Sequence, residues 1–140
     1  MILFCDTSAL VQLYVHEDGS ETLIEQAAAS EAVAVCRIAW VEIMSAMARR
    51  SREAPQDGAA LDRARRRVVA DWPHFFTLEI TQTLVELAGD YAEAFALRAY
   101  DSVQLAAVQT VHREVPGEVR FACFDTRLLK AAQVLGIELA

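Results

Sequence analysis

The 140-residue sequence predicts an α/β fold with three layers, α/β/α, around a central parallel sheet of about five strands. Two observations carry this expectation. The continuous apolar runs MILFC, AVAVC and RFACF are short, as in strands buried on both faces. Between them lie helical segments long enough to cross back over a sheet. No internal repeat, low-complexity tract or linker interrupts the alternation. Residues 1–140 are therefore expected to form a single domain.

Taken in order, residues 1–5 (MILFC) read as the first strand. Thr7 and Ser8 are helix-start residues, and ALVQLYV continues the helix. HEDGS is a loop, and Ser20 is expected to cap a helix through about Ser30. AVAVC (32–36) is the second strand. Residues 38–52 form a helix with Val41, Met44, Ser45 and Ala48 on one face. EAPQDGA breaks it, and LDRARRRVVADW resumes as a helix until Pro73. FFTLEI (75–80) has the aromatic and branched content of a strand. Thr81 or Thr83 starts the next helix, and another begins near Asp101 and ends before PGE (116–118). RFACF is a strand, Asp125 or Thr126 starts a helix that Gly136 closes, and IEL is a short final strand.

Composition excludes several classes. Hydrophobic residues make up 54% of the chain, more than a disordered protein carries. No apolar run reaches the ~18 residues that span a bilayer, so no membrane partner is expected. The N-terminus shows neither a basic leader region nor a small-residue cleavage site. Cys5, Cys36 and Cys123 are odd in number, form no CxxC pair and sit in strand-like runs. They read as buried free thiols in a reducing cytoplasm. His16, His74 and His112 share no ligand spacing with them, which argues against zinc. The net charge of -7 argues against a nucleic-acid binder. The distribution counters that, because eight of the 13 bases fall between Arg37 and Arg67. Arg49, Arg50, Arg63, Arg65, Arg66 and Arg67 are the candidates for phosphate contact. Solvation of two helices is the plain alternative.

Four acids stand in apolar company: Asp6 after MILFC, Glu42 inside IAWVEIMSAM, Asp101 inside LRAYDSVQLAAV, and Asp125 after FACF. A carboxylate is costly to bury unless it is paired, hydrogen-bonded or bound to a cation. In an open α/β sheet ligands gather at the carboxyl ends of strands. Asp6 and Asp125 directly follow strands, Glu42 lies one turn into the helix after the second, and Asp101 stands at a helix start. All four are expected at one edge. Asp6, Asp101 and Asp125 each have a second reading as helix caps, whereas Glu does not cap. Four carboxylates without His or Cys match Mg²⁺ or Mn²⁺, hard cations that prefer oxygen ligands. Ser8 and Thr126 are the candidate supporting hydroxyls. Gln104, one turn after Asp101, faces the same side, and Arg98 is placed to pair with Asp101 or with phosphate.

FCDTSAL, VEI around Glu42, LRAYDSVQLAAV and FACFDTRLLKAAQVLGI resemble, in order and spacing, the PIN domain. More narrowly, they are similar to the VapC toxins of prokaryotic toxin–antitoxin pairs. The resemblance spans nearly the whole chain and implies a PIN-like sheet. It implies that Asp6, Glu42, Asp101 and Asp125 bind Mg²⁺ or Mn²⁺ and catalyse hydrolysis of RNA phosphodiester bonds. It further implies a tRNA or rRNA target, inhibition of translation, a homodimer, and a cognate VapB-like antitoxin. An apolar groove for that antitoxin would involve Leu10, Leu13, Tyr14, Trp40 and Met44. Two departures stand out: Arg37 occupies a position expected to be small or hydroxyl-bearing, and the last motif offers Asp125 as its one acid. Two other classes compete. An aspartyl-phosphate enzyme would want a second acid where Ser8 stands and a lysine before Lys130. A non-catalytic RNA- or partner-binding module would have no need of all four acids.

Overall fold

In the computed structural model, which describes residues 1–140, four parallel strands form one sheet in the order β3-β2-β1-β4. They are β1 (Ile2–Cys5), β2 (Ala32–Cys36), β3 (Phe76–Leu78) and β4 (Val119–Ala122). Seven α-helices complete the fold. Four precede β3: α1 (Thr7–Tyr14), α2 (Ser20–Ala29), α3 (Ala39–Glu53) and α4 (Gly58–Asp71). The other three are α5 (Gln82–Phe95), α6 (Ala99–Glu114) and α7 (Thr126–Val134).

Side chains alternate across each strand, and this alternation assigns the helices to two layers. Leu3, Cys5, Val35 and Ala122 point into one core with Leu10 of α1, Leu23 of α2, Ile43 of α3 and Val68 of α4. Phe4, Ala34, Cys36 and Phe121 point into the other, with Leu84 of α5, Leu105 of α6 and Leu128 of α7. Phe4 and Phe121 are register partners whose ring centroids stand 6.0 Å apart. Each such fully buried large side chain contributes about 1.5–3 kcal/mol of transfer free energy. Two-sided burial is why these strands are continuously apolar in sequence.

The three-layer architecture matches expectation, but the sheet has four strands and not about five. Beyond Gly136 the chain makes a single parallel bridge, Phe121 with Leu139. Ile137 is drawn into the core instead, its N–H donating to Ala132 O at 3.0 Å. Only the Glu138 and Ala140 backbone bonds then reach Phe121, at 2.8 and 2.9 Å, too few to extend a ladder. Ser20 does not cap α2 either. Gly19 takes that place with φ 91°, and Ser20 Oγ is buried between Glu17 N at 2.9 Å and Gln12 Oε1 at 3.1 Å. The helix carrying Asp101 begins two residues early, at Ala99 with Arg98 as its cap, so Asp101 lies in the first turn without capping.

α5 ends on Ala96, the one non-glycine residue with positive φ, at 53°. Leu97 and Arg98 then lead directly into α6, so this turn sets where Asp101 lies. A left-handed alanine costs about 1–2 kcal/mol, partly offset by glycine's greater unfolded-state entropy. Ala96→Gly is therefore expected to stabilise the fold by roughly 0.5–1 kcal/mol, read as a higher urea midpoint at unchanged slope. A lower midpoint would show that the turn is not strained.

Candidate active site

Parallel pairing places the carboxyl ends of β1 and β4 side by side, with Cys5 opposite Ala122. Asp6 N extends the pairing to Ala122 O at 3.2 Å. Chain direction thus brings Asp6 and the turn Cys123–Asp125 to one edge. On the other side of β1, β2 feeds α3, whose first turn carries Glu42. Asp101 arrives from the first turn of α6, where the helix dipole favours an anion.

Asp6 is only 4% exposed. Its Oδ1 accepts from Ser8 Oγ at 2.7 Å and from Ala9 N at 2.9 Å, so it caps α1 as well. Burial pushes its carboxyl up to about 6 against the pull of these hydrogen bonds, and the charge of Glu42 adds to the rise. Ser8 Oγ in turn accepts from Phe124 N at 2.9 Å. One hydroxyl therefore ties the end of β1 to the turn that carries Asp125. Asp125 caps α7 through Oδ1, which accepts from Leu128 N at 2.9 Å.

Glu42 is held differently. Its Oε1 accepts from Thr7 Oγ1 at 2.8 Å and from Gln104 Nε2 at 2.9 Å. Helices α1, α3 and α6 thereby meet on one carboxylate oxygen. Gln104 is 2% exposed, and its own Oε1 has no partner. Sequence reading singled out Gln104 but saw Thr7 as a helix-start residue only. The 35- and 62-residue separations of these contacts leave no local signal for them.

Asp101 is half-buried and lines a cleft of about 300 Å³ with Glu42, Arg98, Ala99 and Tyr100. Burial raises its pKa first and Asp125 second, while Arg98, 3.7 Å away, acts in the opposite direction. The four acids are thus linked pairwise: Asp6 with Glu42, Asp101 with Asp125, and Glu42 with Asp101 across the shared cleft. No three of them close into a ready metal cage. Each carboxylate has an oxygen engaged elsewhere, in a helix cap, in the Thr7–Gln104 clasp or near Arg98.

Thr126 is exposed and takes no part in the hydrogen bonds that hold the acids. The six arginines do not form one patch. Arg49 and Arg50 line a cleft of about 440 Å³ with Thr7, Ser8 and Phe124. Arg50 also borders a cleft of about 1020 Å³ with Arg63, Arg66 and Arg67; it contains none of the four acids. Arg65 faces a separate groove beside Ser51 and Asp62. Arg50 is paired with Glu17, and Arg67 donates to Tyr14 O at 2.9 Å over the Tyr14 ring. Arg37 pairs with Glu79. Of the five residues expected to line an apolar groove, Leu10 is core, Leu13, Tyr14 and Met44 pack against that same core, and Trp40 borders a separate patch with Ile38, Val41, Trp72 and Ile80.

The buried Asp6 has a pH signature. Its carboxyl titrates near 6 when folded, against an ordinary value of 3.8. Between about pH 4 and 6 the folded state keeps a proton that the unfolded state has released, so stability falls as pH rises through this window. Asp6→Asn keeps the capping oxygen and removes the charge. At pH 7 in EDTA the variant is expected to exceed the wild type by roughly 1–3 kcal/mol, an advantage that vanishes below pH 4. Equal urea midpoints at pH 7 would contradict this.

Comparison with known proteins places this geometry. Residues 3–134 match the PIN domain family. The chain is 32% identical over 143 residues to Ribonuclease VapC45 of Mycobacterium tuberculosis, covering 99% of this chain and 94% of that one. Among solved structures it resembles a toxin-antitoxin complex from Klebsiella pneumoniae, with TM-score 0.63, 22% identity, and 90% and 88% of the two chains covered. It also resembles Mycobacterium tuberculosis VapC20, described as a sarcin-ricin loop cleaving toxin, with TM-score 0.64, 18% identity, and 92% and 94% covered. With the family matched over nearly its whole length and a 32% identical relative matched end to end, the chain belongs to the PIN domain family.

Proposed function

We propose that this protein is a divalent-cation-dependent endoribonuclease and the toxin of a VapBC-type toxin–antitoxin pair. The observation that carries the reading is the edge of acids, in which a nearly buried Asp6 stands within electrostatic reach of Glu42 and Asp101 within reach of Asp125. Carboxylates gathered in this way repel one another, and the one basic side chain paired with them, Arg98, is 86% exposed. A cation is the partner that would relieve the repulsion.

The donor set fits a hard cation. It is all carboxylate oxygen, and the nearby thiols of Cys5 and Cys123 are pushed well above the ordinary thiol range by burial. Mg²⁺ keeps several waters and takes few protein carboxylates, so acids standing as linked pairs suit it. Asp6, Glu42, Asp101 and Asp125 would hold the ion. When bound, it supplies an activated water and charge compensation for the phosphodiester. The chain's own residues do the rest. Ser8 orients the Asp6 carboxylate, and Thr7 and Gln104 occupy Oε1 of Glu42, which leaves Oε2 directed by their grip. Arg98 stands at the rim, where a guanidinium can meet a phosphate oxygen.

The relatives supply the substrate class and the partner. VapC45 is named a ribonuclease and VapC20 a sarcin-ricin loop cleaving toxin, which supports RNA as the substrate class; a tRNA or rRNA target and inhibition of translation complete the proposal. The Klebsiella complex supports an antitoxin partner. A homodimer in the cytoplasm belongs to the same reading.

Purified protein is expected to cleave RNA with Mg²⁺ or Mn²⁺ and to lose cleavage in EDTA. Asp101→Asn should lower the rate by at least a hundredfold while far-ultraviolet circular dichroism stays unchanged. Wild-type rates in that variant would refute the site, and Mn²⁺ binding without cleavage of any RNA would favour a non-catalytic module. Alanine at Arg63 and Arg66 together is expected to reduce the salt dependence of RNA affinity by roughly 1–1.5 in log–log slope. An unchanged slope would return both arginines to solvation.

A further inference from the structure

Two clefts flank the acids and meet at the Thr7–Glu42 hydrogen bond, since Thr7 lines one and Glu42 the other. Each contains one exposed aromatic ring beside arginine. Phe124, 48% exposed, shares its cleft with Ser8, Arg49 and Arg50. Tyr100, 60% exposed, shares the other with Arg98, Glu42 and Asp101. Each ring immediately precedes a candidate acid in sequence, Asp125 and Asp101. Neither ring belongs to either core.

Phe124 is exposed yet held. Its N–H donates to Ser8 Oγ at 2.9 Å. Its ring lies over Gly19, where an added side-chain carbon would come within 3.4 Å of the ring edge. The left-handed backbone at Gly19, φ 91°, is one that other residues rarely adopt, so the ring's seat is kept clear. Half of an apolar ring left in water, in a fixed position, gives nothing to the stability of the fold. It does present a flat π-face next to the candidate active site.

We propose that Phe124 and Tyr100 are stacking platforms for unpaired RNA bases on the two sides of the phosphate presented to the acids. This rests on the nuclease reading and specifies its substrate as single-stranded or looped RNA. The charge pattern favours that occupant. An acidic edge repels the phosphate backbone, so affinity close to the acids must come from an interaction that charge does not oppose. Base–aromatic stacking is one, and it accepts any base. Arg98 and Arg49 lie in the same clefts as the rings, where flanking phosphates would pass. Paired RNA keeps its bases stacked on one another and offers no free faces.

The test is steady-state cleavage of single-stranded oligoribonucleotides with Mn²⁺, comparing Phe124→Ala, Phe124→Leu, Phe124→Trp and Tyr100→Ala with the wild type. Each alanine variant is expected to raise KM about tenfold with kcat within about twofold. Phe124→Leu, which stays apolar but loses the ring, should match the alanine, and Phe124→Trp should restore wild-type KM. The salt slope should stay unchanged in the ring variants and fall by roughly 0.7 in Arg98→Ala. If the wild type cleaves RNA and both alanine variants keep its KM, the platforms are wrong while the nuclease reading stands. If the wild type cleaves no RNA, both fall together. A changed sedimentation coefficient at unchanged KM would assign the rings to a protein interface and overturn the proposal.

Discussion

The buried carboxylate of Asp6 is the constraint on which this structure turns. Its Oδ1 satisfies one orphan N–H of α1, that of Ala9, and accepts the Ser8 hydroxyl, so one side chain helps fix the crossing from β1 into α1. Through Ser8 the same group reaches Phe124 N in the turn after β4, 116 residues beyond Ser8. The position of Asp125, and of the helix it caps, follows from that link. A neutral asparagine could make the cap without the burial penalty of a charge. A carboxylate kept where it titrates near 6 is a local conflict of the sort that folds retain at functional sites.

Glu42 carries the second half of the arrangement. Two donors from different helices converge on Oε1 and leave Oε2 without a protein partner. Gln104 spends its amide N–H on this grip although its carbonyl then remains buried and unpaired. An unmatched buried polar atom costs about 1–3 kcal/mol, so stability alone would favour an apolar residue there. The clasp makes sense as orientation: it fixes a carboxylate that lines the cleft shared with Asp101.

Much of this was legible in the sequence because burial and chain direction leave marks on it. Continuous apolar runs identified β1, β2 and β4, and a polar residue right after such a run marks the carboxyl edge of a parallel sheet. Asp6 and Asp125 are therefore visible as candidates, and both also cap helices, since a residue leaving a strand for a helix stands where a cap is needed. Long-range hydrogen bonding left no such mark. Thr7 looks like any helix-start residue, and only tertiary contact turns its hydroxyl to Glu42. The terminal IEL carries strand propensity, but packing of Ile137 overrode it. Arg63, Arg65, Arg66 and Arg67 stand together in sequence as candidates for phosphate contact, whereas helical periodicity sends Arg65 to a different groove from the other three.

That division bears on how a chain with net charge -7 would handle a polyanion. Some of its arginines are structural: Arg50 is held by Glu17, and Arg67 closes over Tyr14, whose own hydroxyl donates to Asp71 at 2.8 Å. Of the other candidates, Arg65 lies in its own groove, while Arg49, Arg63 and Arg66 line two clefts that share Arg50 and Glu53. Arg98 apart, this positive charge is set away from the acids, in clefts that approach them beside Ser8. A uniformly basic surface would hold RNA anywhere on the protein. Basic clefts that lead to an acidic edge would hold the backbone at one end and resist it at the other, a resistance that a bound divalent cation would lessen.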